Sequence, residues 1–296
     1  MIERFEYIEK ELNKIKQRLS LFHLPGHHNQ KSHSGGMTGA QAQPQAQERG
    51  LKIPPNWNNV WINPDTKAKV QAIGVDAKGR HQYVYNQDFV SKQQVKKFNR
   101  VRQFTKDHAT ITKKIGKDMS VSEEAKVLYV IDKTGFRVGS NADTRATQKA
   151  YGVSTLLTDH VRINGNDVTF NFTGKKGVAV SKTITDQTMA TIVSKSMYNR
   201  PAGGQLFNTT DGRVRDYLGK ISGDKYKVKD FRTHKGTAEA YNQVKLLPKV
   251  LTQKEAKKAT ITISKHVAGV LGNTPIVAKQ KYIDPVVWDM VEARVR

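Results

Sequence analysis

The segment HVRINGNDVTFNFTGKKGVAVSKTI, residues 160–184, is a β-rich stretch between regions whose patterns are helical. Asn164 and Gly165 separate two alternating segments, and this dipeptide is the strongest short signal for a two-residue hairpin turn. A second turn, GKKG, contains Lys175 and Lys176 and precedes a third alternating segment. The sequence therefore predicts a three-stranded β-meander with these two lysines at its outer turn.

Helical patterns flank this meander on both sides. Residues 91–118 are strongly basic with helical periodicity, and Ser120 with Glu123 predicts a capping box that opens the next helix. Thr252 with Glu255 predicts another capping box, at the start of a long basic helix. A mainly helical domain that contains one small sheet is the expected result.

The stretch LGNTPIVAKQKYIDPVVWD, residues 271–289, contains two helix starts in close succession. Thr274 and Asp284 are each followed by proline, which is favoured at the first position of a helix. Tyr282 therefore lies where one short helix ends, just before the next begins. A tyrosine at such a break can simply pack its ring on the core, so its position alone does not assign a function.

The fold class predicted is α+β, with three regions along the chain. Residues 1–50 are expected to form an amphipathic helix followed by a flexible linker rich in Gly, Gln, Ser and His. Residues 51–90 show short strands and turns and predict a small β-rich domain. Residues 91–296 form the mainly helical domain.

The charge balance points to a polyanionic partner. The 296 residues include 50 Lys+Arg and 26 Asp+Glu, a net charge of +24, and nearly all of this excess lies after residue 50. Nucleic acid is the first partner to consider for such a surface. No apolar run approaches the length of a membrane span, and the first residues lack the order of a signal peptide, so we expect a soluble intracellular protein.

The absence of cysteine limits the chemistry available. Disulfides, thiolate catalysis and cysteine-based metal sites are excluded, so any nucleophile must be an oxygen or a lysine. No Walker motif is present, which argues weakly against ATP use. We expect no metal and no nucleotide cofactor.

Four residues along the chain suit phosphodiester chemistry. A tyrosine such as Tyr282 can act as nucleophile, and guanidinium groups such as those of Arg137 and Arg232 match phosphate oxygens. A lysine such as Lys175 can supply a proton to a leaving oxygen. Considered singly, a residue of each of these types is more often a surface charge or a structural residue than a catalytic one.

Taken together and in order, the motifs resemble a known family. The quoted segments are IPPNWNNVWINPDTKAKVQAIGVDAKGRHQYVYN, TGFRVGS, GVSTLLTDHVRINGNDVTFNFTGKKG, RPAGGQLFN, KDFRTHKGTAEAYN and LGNTPIVAKQKYIDP. Over about residues 51–292 they are similar to the type IB DNA topoisomerases of the small poxvirus and bacterial kind. The resemblance implies a tyrosine recombinase/topoisomerase IB-like catalytic fold, double-stranded DNA as partner, and a monomer in the bacterial cytoplasm or nucleoid, or in the virion or host cytoplasm of a virus.

The same resemblance assigns roles. It implies Tyr282 as the nucleophile that forms a 3′-phosphotyrosine intermediate, Arg137 and Arg232 as ligands of the scissile phosphate, and Lys175 as general acid. Asn273 occupies a position that is histidine in poxvirus enzymes, and its amide can donate a hydrogen bond without a charge.

Four further residues are implied to meet DNA. Lys229, three residues before the second arginine, would add positive charge beside the phosphate. In the β-rich domain Arg80, Tyr83 and Tyr85 match the DNA-contacting stretch GRHQYVY, although three alternating residues on one strand face also read as ordinary strand surface.

Two other functions remain open on the sequence. A tyrosine recombinase shares the catalytic residue types, but those enzymes carry histidine where this chain has Lys229. A non-catalytic basic DNA-binding protein would explain the charge but not the ordered phosphate-site residues.

Overall fold

A computed structural model describes residues 36–142, 148–198 and 200–296, and the chain divides between Asn86 and Gln87 into two units. The amphipathic helix predicted for residues 1–20 lies outside the described residues. Each unit combines helix with a three-stranded antiparallel sheet, so the α+β class is confirmed.

The N-terminal unit packs one short helix against its sheet. Its elements are α1 (Gln43–Glu48), β1 (Asn58–Ile62), β2 (Val70–Val75) and β3 (His81–Tyr85), with β2 in the centre of the sheet. Strand β3 alternates between exposed and half-buried residues, as expected for an edge strand with one solvated face.

The prediction of a flexible linker up to residue 50 is wrong for residues 36–50. Ala42 and Ala46 are fully buried and share a core with Ile53 and Trp57. The local composition is polar because α1 and its N-cap contribute only two small apolar side chains to the core, Ala46 and Ala42. The larger residues that cover them come later in the chain, so a local window could not reveal this core.

The C-terminal unit, Gln87–Arg296, holds the second sheet and most of the helices. In order these are α2 (Gln87–Asp118), α3 (Glu123–Thr134), β4 (Val161–Asn164), β5 (Asp167–Thr173), β6 (Ala179–Thr185), α4 (Gln187–Tyr198), α5 (Asp211–Ser222), α6 (Val228–Lys245), α7 (Gln253–Leu271), α8 (Pro275–Lys281) and α9 (Val286–Glu292). Short 3₁₀ helices span Val153–Thr155, Thr158–His160 and Lys175–Gly177.

Strands β4, β5 and β6 form the predicted meander. Asn164 pairs with Asp167 across the first turn, where Gly165 adopts a left-handed φ of 58°. Thr173 pairs with Ala179 across the outer turn that contains the two lysines.

The helix ends mostly follow the predicted capping signals. Thr252 and Glu255 form the capping box that opens α7. Thr274 accepts a hydrogen bond from the amide of Val277 and caps α8. The predicted box at Ser120 is wrong, because Ser122 caps α3 instead, accepting from the amide of Ala125.

Buried side chains of the C-terminal unit form two clusters that meet along α6. Phe231 belongs to the cluster built on α2, α3, α4, α5 and the meander, whereas Ala240 belongs to the cluster of α7, α8 and α9. The middle of α6 therefore faces both halves of the unit. No described helix has the length and apolar composition needed to span a bilayer.

Candidate active site

Tyr282 is the residue that ends helix α8. Its backbone amide donates to the carbonyl of Ala278 at 3.0 Å, and its φ of −129° takes the chain out of the helix. The side chain is 6% exposed, in a cluster that also includes Ile283. The predicted break at Tyr282 is confirmed, and the ring is held inside the protein.

The backbone on both sides of Tyr282 is held by α2 and α6. Lys97 on α2 donates to the carbonyl of Lys281 at 3.1 Å. On α6, the hydroxyl of Thr237 donates to the carbonyl of Tyr282 at 3.2 Å and accepts from the amide of Asp284 at 3.1 Å. These contacts fix the turn that carries the tyrosine.

Two cationic residues of α6 face the ring of Tyr282. The guanidinium carbon of Arg232 lies 5.1 Å from the ring centroid, and Nζ of Lys229 lies 5.4 Å from it. Helix α6 is tied in turn to α2, because Arg100 makes two contacts with Asp230 at 2.7 and 2.9 Å. The structure thus brings together three of the residues that the sequence singled out.

Arg232 is buried and joins two helix ends. Its guanidinium donates to the carbonyl of Gly135 after α3 and, at 2.8 Å, to the carbonyl of Leu271 at the end of α7. Its Nε has no hydrogen-bond partner among the described residues. Since a guanidinium has five N–H donors, several remain for a further acceptor.

The surrounding charge changes the acidity of the tyrosine. Burial raises the pKa of Tyr282, but the charges of Arg232, Lys229 and Arg137, with hydrogen bonding by Arg232, more than offset it and lower the pKa below its ordinary value of 10.0. Burial and the charge of Arg137 lower the pKa of Arg232 to about 10, so this guanidinium stays charged near neutral pH.

Arg137 follows the left-handed C-cap of α3 and lines a cavity with Arg232. Its carbonyl accepts from the amide of Val153 at 2.9 Å, which fixes the backbone after the helix. The cavity has a volume of about 100 Å³, and its lining includes Lys182, Gly174 and residues at the end of α7.

Asn273 and Lys175 are placed differently from the residues around the ring. Asn273 follows α7, and both polar atoms of its side chain are buried without a hydrogen-bond partner among the described residues. Lys175 is exposed at the outer turn of the meander and makes no hydrogen bond or ion pair with another described residue. The structure therefore does not bring Lys175 into contact with Tyr282.

Several residues of this site were missed on the sequence. Lys97, Arg100 and Arg102 on α2 hold the tyrosine turn or α6, and they appeared only as part of a basic helix. Lys182 in β6 lines the cavity. One feature of the sequence could have indicated Lys182: it is two residues from Val180, so in a strand both side chains lie on the same, less exposed face.

The residues implied to meet DNA in the N-terminal unit lie on and beside β3. Tyr83 and Tyr85 stack with ring centroids 6.3 Å apart, and their side chains are 46% and 39% exposed. Arg80 forms an ion pair with Asp76 at 2.7 Å, and that hydrogen-bonded contact holds the pKa of Asp76 well below its usual range. The two rings present an exposed aromatic face.

Comparisons with known proteins connect this geometry to a family. Residues 86–292 match the family described as eukaryotic DNA topoisomerase I, catalytic core, and residues 37–76 match the bacterial DNA topoisomerase IB, N-terminal domain. DNA topoisomerase 1B of Acanthamoeba polyphaga mimivirus is 32% identical over 260 residues, covering 79% of this chain and 75% of that protein. DNA topoisomerase 1B of Vaccinia virus (strain Copenhagen) is 26% identical over 263 residues, covering 82% and 80%.

The chain belongs to the type IB DNA topoisomerases. As a type IB DNA topoisomerase it is an enzyme whose substrate is DNA. The catalytic-core match spans every candidate residue from Arg137 to Tyr282, and the N-terminal match includes part of the segment that had been read as a linker. These matches support the topoisomerase over the recombinase and the non-catalytic alternatives.

Proposed function

We propose that this topoisomerase relaxes supercoiled DNA by cutting and resealing one strand through Tyr282. The tyrosine oxygen attacks the scissile phosphorus, the bond from phosphorus to the 5′ oxygen breaks, and a 3′-phosphotyrosine ester forms. The phenol proton passes to solvent, and the 5′ oxygen receives a proton from a general acid. Attack by the 5′ hydroxyl reverses each change, so the ester conserves the bond energy and no ATP is needed.

The observation that carries this proposal is the position of the Tyr282 ring among cations. Attack requires the phenol to lose its proton, and the adjacent Arg232 and Lys229 favour the charged form. Cation–π contact would also stabilise a tyrosine that served only as packing, whereas a lowered pKa of the phenol matters only to a tyrosine that reacts. The arrangement suits a nucleophile.

The phosphate ligands are proposed to be Arg137, Arg232 and Asn273. Among the described residues, the Nε of Arg232 and the side-chain Nδ2 of Asn273 are buried donors without partners, and a phosphate oxygen could accept from each. Arg137 borders the same cavity and adds a second guanidinium for the charge of the pentacoordinate phosphorus. The site supplies these cations from its own chain, which supports a mechanism without metal.

Lys175 is proposed as the general acid. It lies in an exposed turn of the meander, from which its ammonium can reach a DNA strand bound at the surface. Arg80, Tyr83 and Tyr85 are proposed to contact DNA, since arginine and tyrosine side chains on an exposed surface can bond to the phosphates of a duplex.

The larger unit is proposed to have the tyrosine recombinase/topoisomerase IB catalytic fold, and the enzyme is proposed to act as a monomer. All the proposed catalytic groups come from one chain, so a second copy is not required for the chemistry. Its location would be that of its DNA, in a bacterial cytoplasm or nucleoid, or in a virion or host cytoplasm.

The deciding experiment measures relaxation of supercoiled plasmid with EDTA present and ATP absent. The wild type is expected to relax both positive and negative supercoils. When it is denatured during turnover, it should be trapped as a covalent adduct on the 3′ end of the strand that it has nicked. Tyr282→Phe should abolish both while DNA affinity stays near that of the wild type. Tyr198→Phe, which alters a tyrosine that is 91% exposed, is the matched control and should be fully active.

Two results would contradict the proposal. Loss of wild-type relaxation in EDTA would exclude the metal-free mechanism. A covalent adduct formed by Tyr282→Phe would show that another residue is the nucleophile.

A further inference from the structure

Helices α3 and α7 end in the same way, and each leads to a proposed phosphate ligand. Gly135 after α3 and Gly272 after α7 are both left-handed C-caps, with φ of 72° and 60°. Arg137 follows the first cap by two residues, and Asn273 follows the second directly. The relative position of these two ligands therefore depends on how the two helix ends are held together.

Two cations join these helix ends through four neighbouring carbonyls. Arg232 donates to the carbonyls of Gly135 and Leu271. Lys182 donates to the residue before each of them, to the carbonyl of Thr134 at 2.9 Å and to the carbonyl of Val270 at 3.2 Å. Carbonyls at the end of a helix lack intrahelical donors and carry partial negative charge, so they are natural acceptors for cations.

Lys182 also connects these ends to the meander. It lies on β6 opposite Phe170 of β5, in the same hairpin that carries the proposed acid at its outer turn. Its Nζ is 5.9 Å from the ring centroid of Phe136, the residue between Gly135 and Arg137. One side chain thus contacts the three segments that carry Lys175, Arg137 and Asn273.

The ammonium of Lys182 is maintained in this place at an electrostatic cost. Burial, with the charges of Lys235 and Arg232, lowers its pKa to about 8, and Glu239 opposes the change. An apolar side chain would fill the strand face without that cost. The carbonyl contacts give the reason for a lysine here.

We infer that Lys182 is a positioning residue for DNA cleavage, which holds the ends of α3 and α7 and the meander in register around Arg232. This inference rests on the proposed function of the site. Two of the three donors of the ammonium are used by backbone carbonyls, so Lys182 acts through Arg137 and Asn273 and not as the proton donor.

The test is the Lys182→Met variant, which keeps a long side chain and removes the donors. Its single-turnover cleavage rate should fall by about 10- to 100-fold, as for other groups that orient catalytic residues. Its affinity for uncleaved DNA should stay within about twofold of the wild type. Lys220→Met, at an exposed lysine of α5, removes the same charge and should cleave normally.

Two readouts separate positioning from acid catalysis and from general instability. On DNA with a 5′-bridging sulfur at the scissile bond, the rate of Lys182→Met should remain low, because a better leaving group does not restore geometry. Amide hydrogen exchange should rise at residues 135–137 and 271–273, with the remaining helices unchanged. If the methionine variant does not fold, Lys182→Gln, which retains one amide donor, takes its place in the same measurements.

The possible outcomes are distinct. If the wild type cleaves DNA and the folded Lys182 variant cleaves it at the same rate, the inference is wrong and the proposed function stands. Rescue by the bridging sulfur would also overturn it, since Lys182 would then be a proton donor. A wild type that does not cleave would instead refute the proposed function.

Discussion

Arg102 of α2 and Asp284 form a two-point ion pair, with both N···O distances at 2.8 Å. Asp284 is 2% exposed and comes two residues after Tyr282, and its carboxylate also accepts from the amide of Val286 at the start of α9. The helix predicted to begin after Asp284 begins one residue later than expected, because Pro285 is the N-cap of α9 and Val286 is its first residue. The ion pair makes α2 a support for the turn that carries Tyr282, the proposed nucleophile.

Asp284→Asn should weaken both the fold and cleavage. The variant leaves Arg102 with a neutral partner at a buried position, so we expect the free energy of unfolding to fall by about 1–3 kcal/mol. Cleavage should slow because the turn at Tyr282 loses an anchor. Urea denaturation and single-turnover cleavage measure the two effects.

Asp211→Asn is the comparison for that prediction. Asp211 pairs with the exposed Arg215 on the surface of α5, and such pairs contribute less than about 1 kcal/mol. If the Asp284 variant is as stable as the Asp211 variant and cleaves DNA as fast, Asp284 does not anchor the turn at Tyr282.

Gly236→Ala should displace Tyr282, the proposed nucleophile. A Cβ at this position of α6 would lie 2.9 Å from the carbonyl oxygen of Tyr282 and 3.0 Å from a methyl of Leu271, so backbone must shift. We expect cleavage to slow by about 10²-fold with little change in DNA affinity. Gly116→Ala in α2 meets nothing within 4 Å and should stabilise the protein by about 0.5–1 kcal/mol with normal cleavage.

Lys175→Ala should slow cleavage of ordinary DNA by about 10²- to 10⁴-fold, the range typical of a lost general acid. A 5′-bridging sulfur should largely restore the rate, because a thiolate leaves without a proton. Arg232→Ala should not be rescued, since its proposed contacts are with other phosphate oxygens. If Lys175→Ala cleaves both substrates equally slowly, Lys175 contributes only positive charge. Lys176 would then be the candidate acid.

The free energy of unfolding should decrease as the pH falls from 6.5 towards 4, and we expect His234 to cause this decrease. Burial and the charge of His108 lower the pKa of His234 to about 4, with Asp132 opposing. Between these pH values the unfolded state binds more protons at this residue than the folded state, so acid favours unfolding. His234 contacts the hydroxyl of Thr105 at 3.0 Å, and its ring lies tilted against that of His108 with centroids 4.4 Å apart.

His234→Gln should therefore flatten this part of the stability profile, measured as the free energy of unfolding at pH 6.5 and pH 4.5. His266→Gln, at a histidine on the surface of α7, should keep the wild-type slope. A profile for the His234 variant as steep as that of the wild type would place the acid sensitivity elsewhere.

Removing residues 1–35 and removing residues 1–50 should have different effects. The longer deletion takes away Ala42 and Ala46 and the backbone bridge from Met37 to Val60, which belong to the small core. We expect faster amide exchange in β1, β2 and β3 and weaker DNA binding for that deletion alone. Equal exchange in the two truncated proteins would show that the sheet does not need α1.

The sequence predicted features that depend on local chemistry. The turn at Gly165, the cap at Thr252 and the break at Tyr282 each follow from residues within four positions of one another. The resemblance supplied the roles of the site residues, and the structure places Arg232 and Lys229 against the tyrosine ring.

Contacts between distant residues could not be predicted in the same way. Lys97 and Arg102 meet partners 184 and 182 residues away, and nothing local distinguishes them from other basic residues of α2. Ser122 replaced Ser120 as the cap because a helix start is set by which hydroxyl reaches a free amide. Lys182 was detectable only as a charge on a strand face otherwise occupied by Val180 and Ile184.

The dependence of the Tyr282 turn on α2 has a consequence for how the enzyme is made. The ribosome synthesises α2 early in the chain. Tyr282 and Asp284, which pairs with Arg102 of α2, are synthesised last among the site residues. A nascent chain that ends just before Tyr282 contains the proposed phosphate ligands Arg137, Arg232 and Asn273 but not the proposed nucleophile. Synthesis of the chain therefore supplies every proposed phosphate ligand before it supplies the proposed nucleophile.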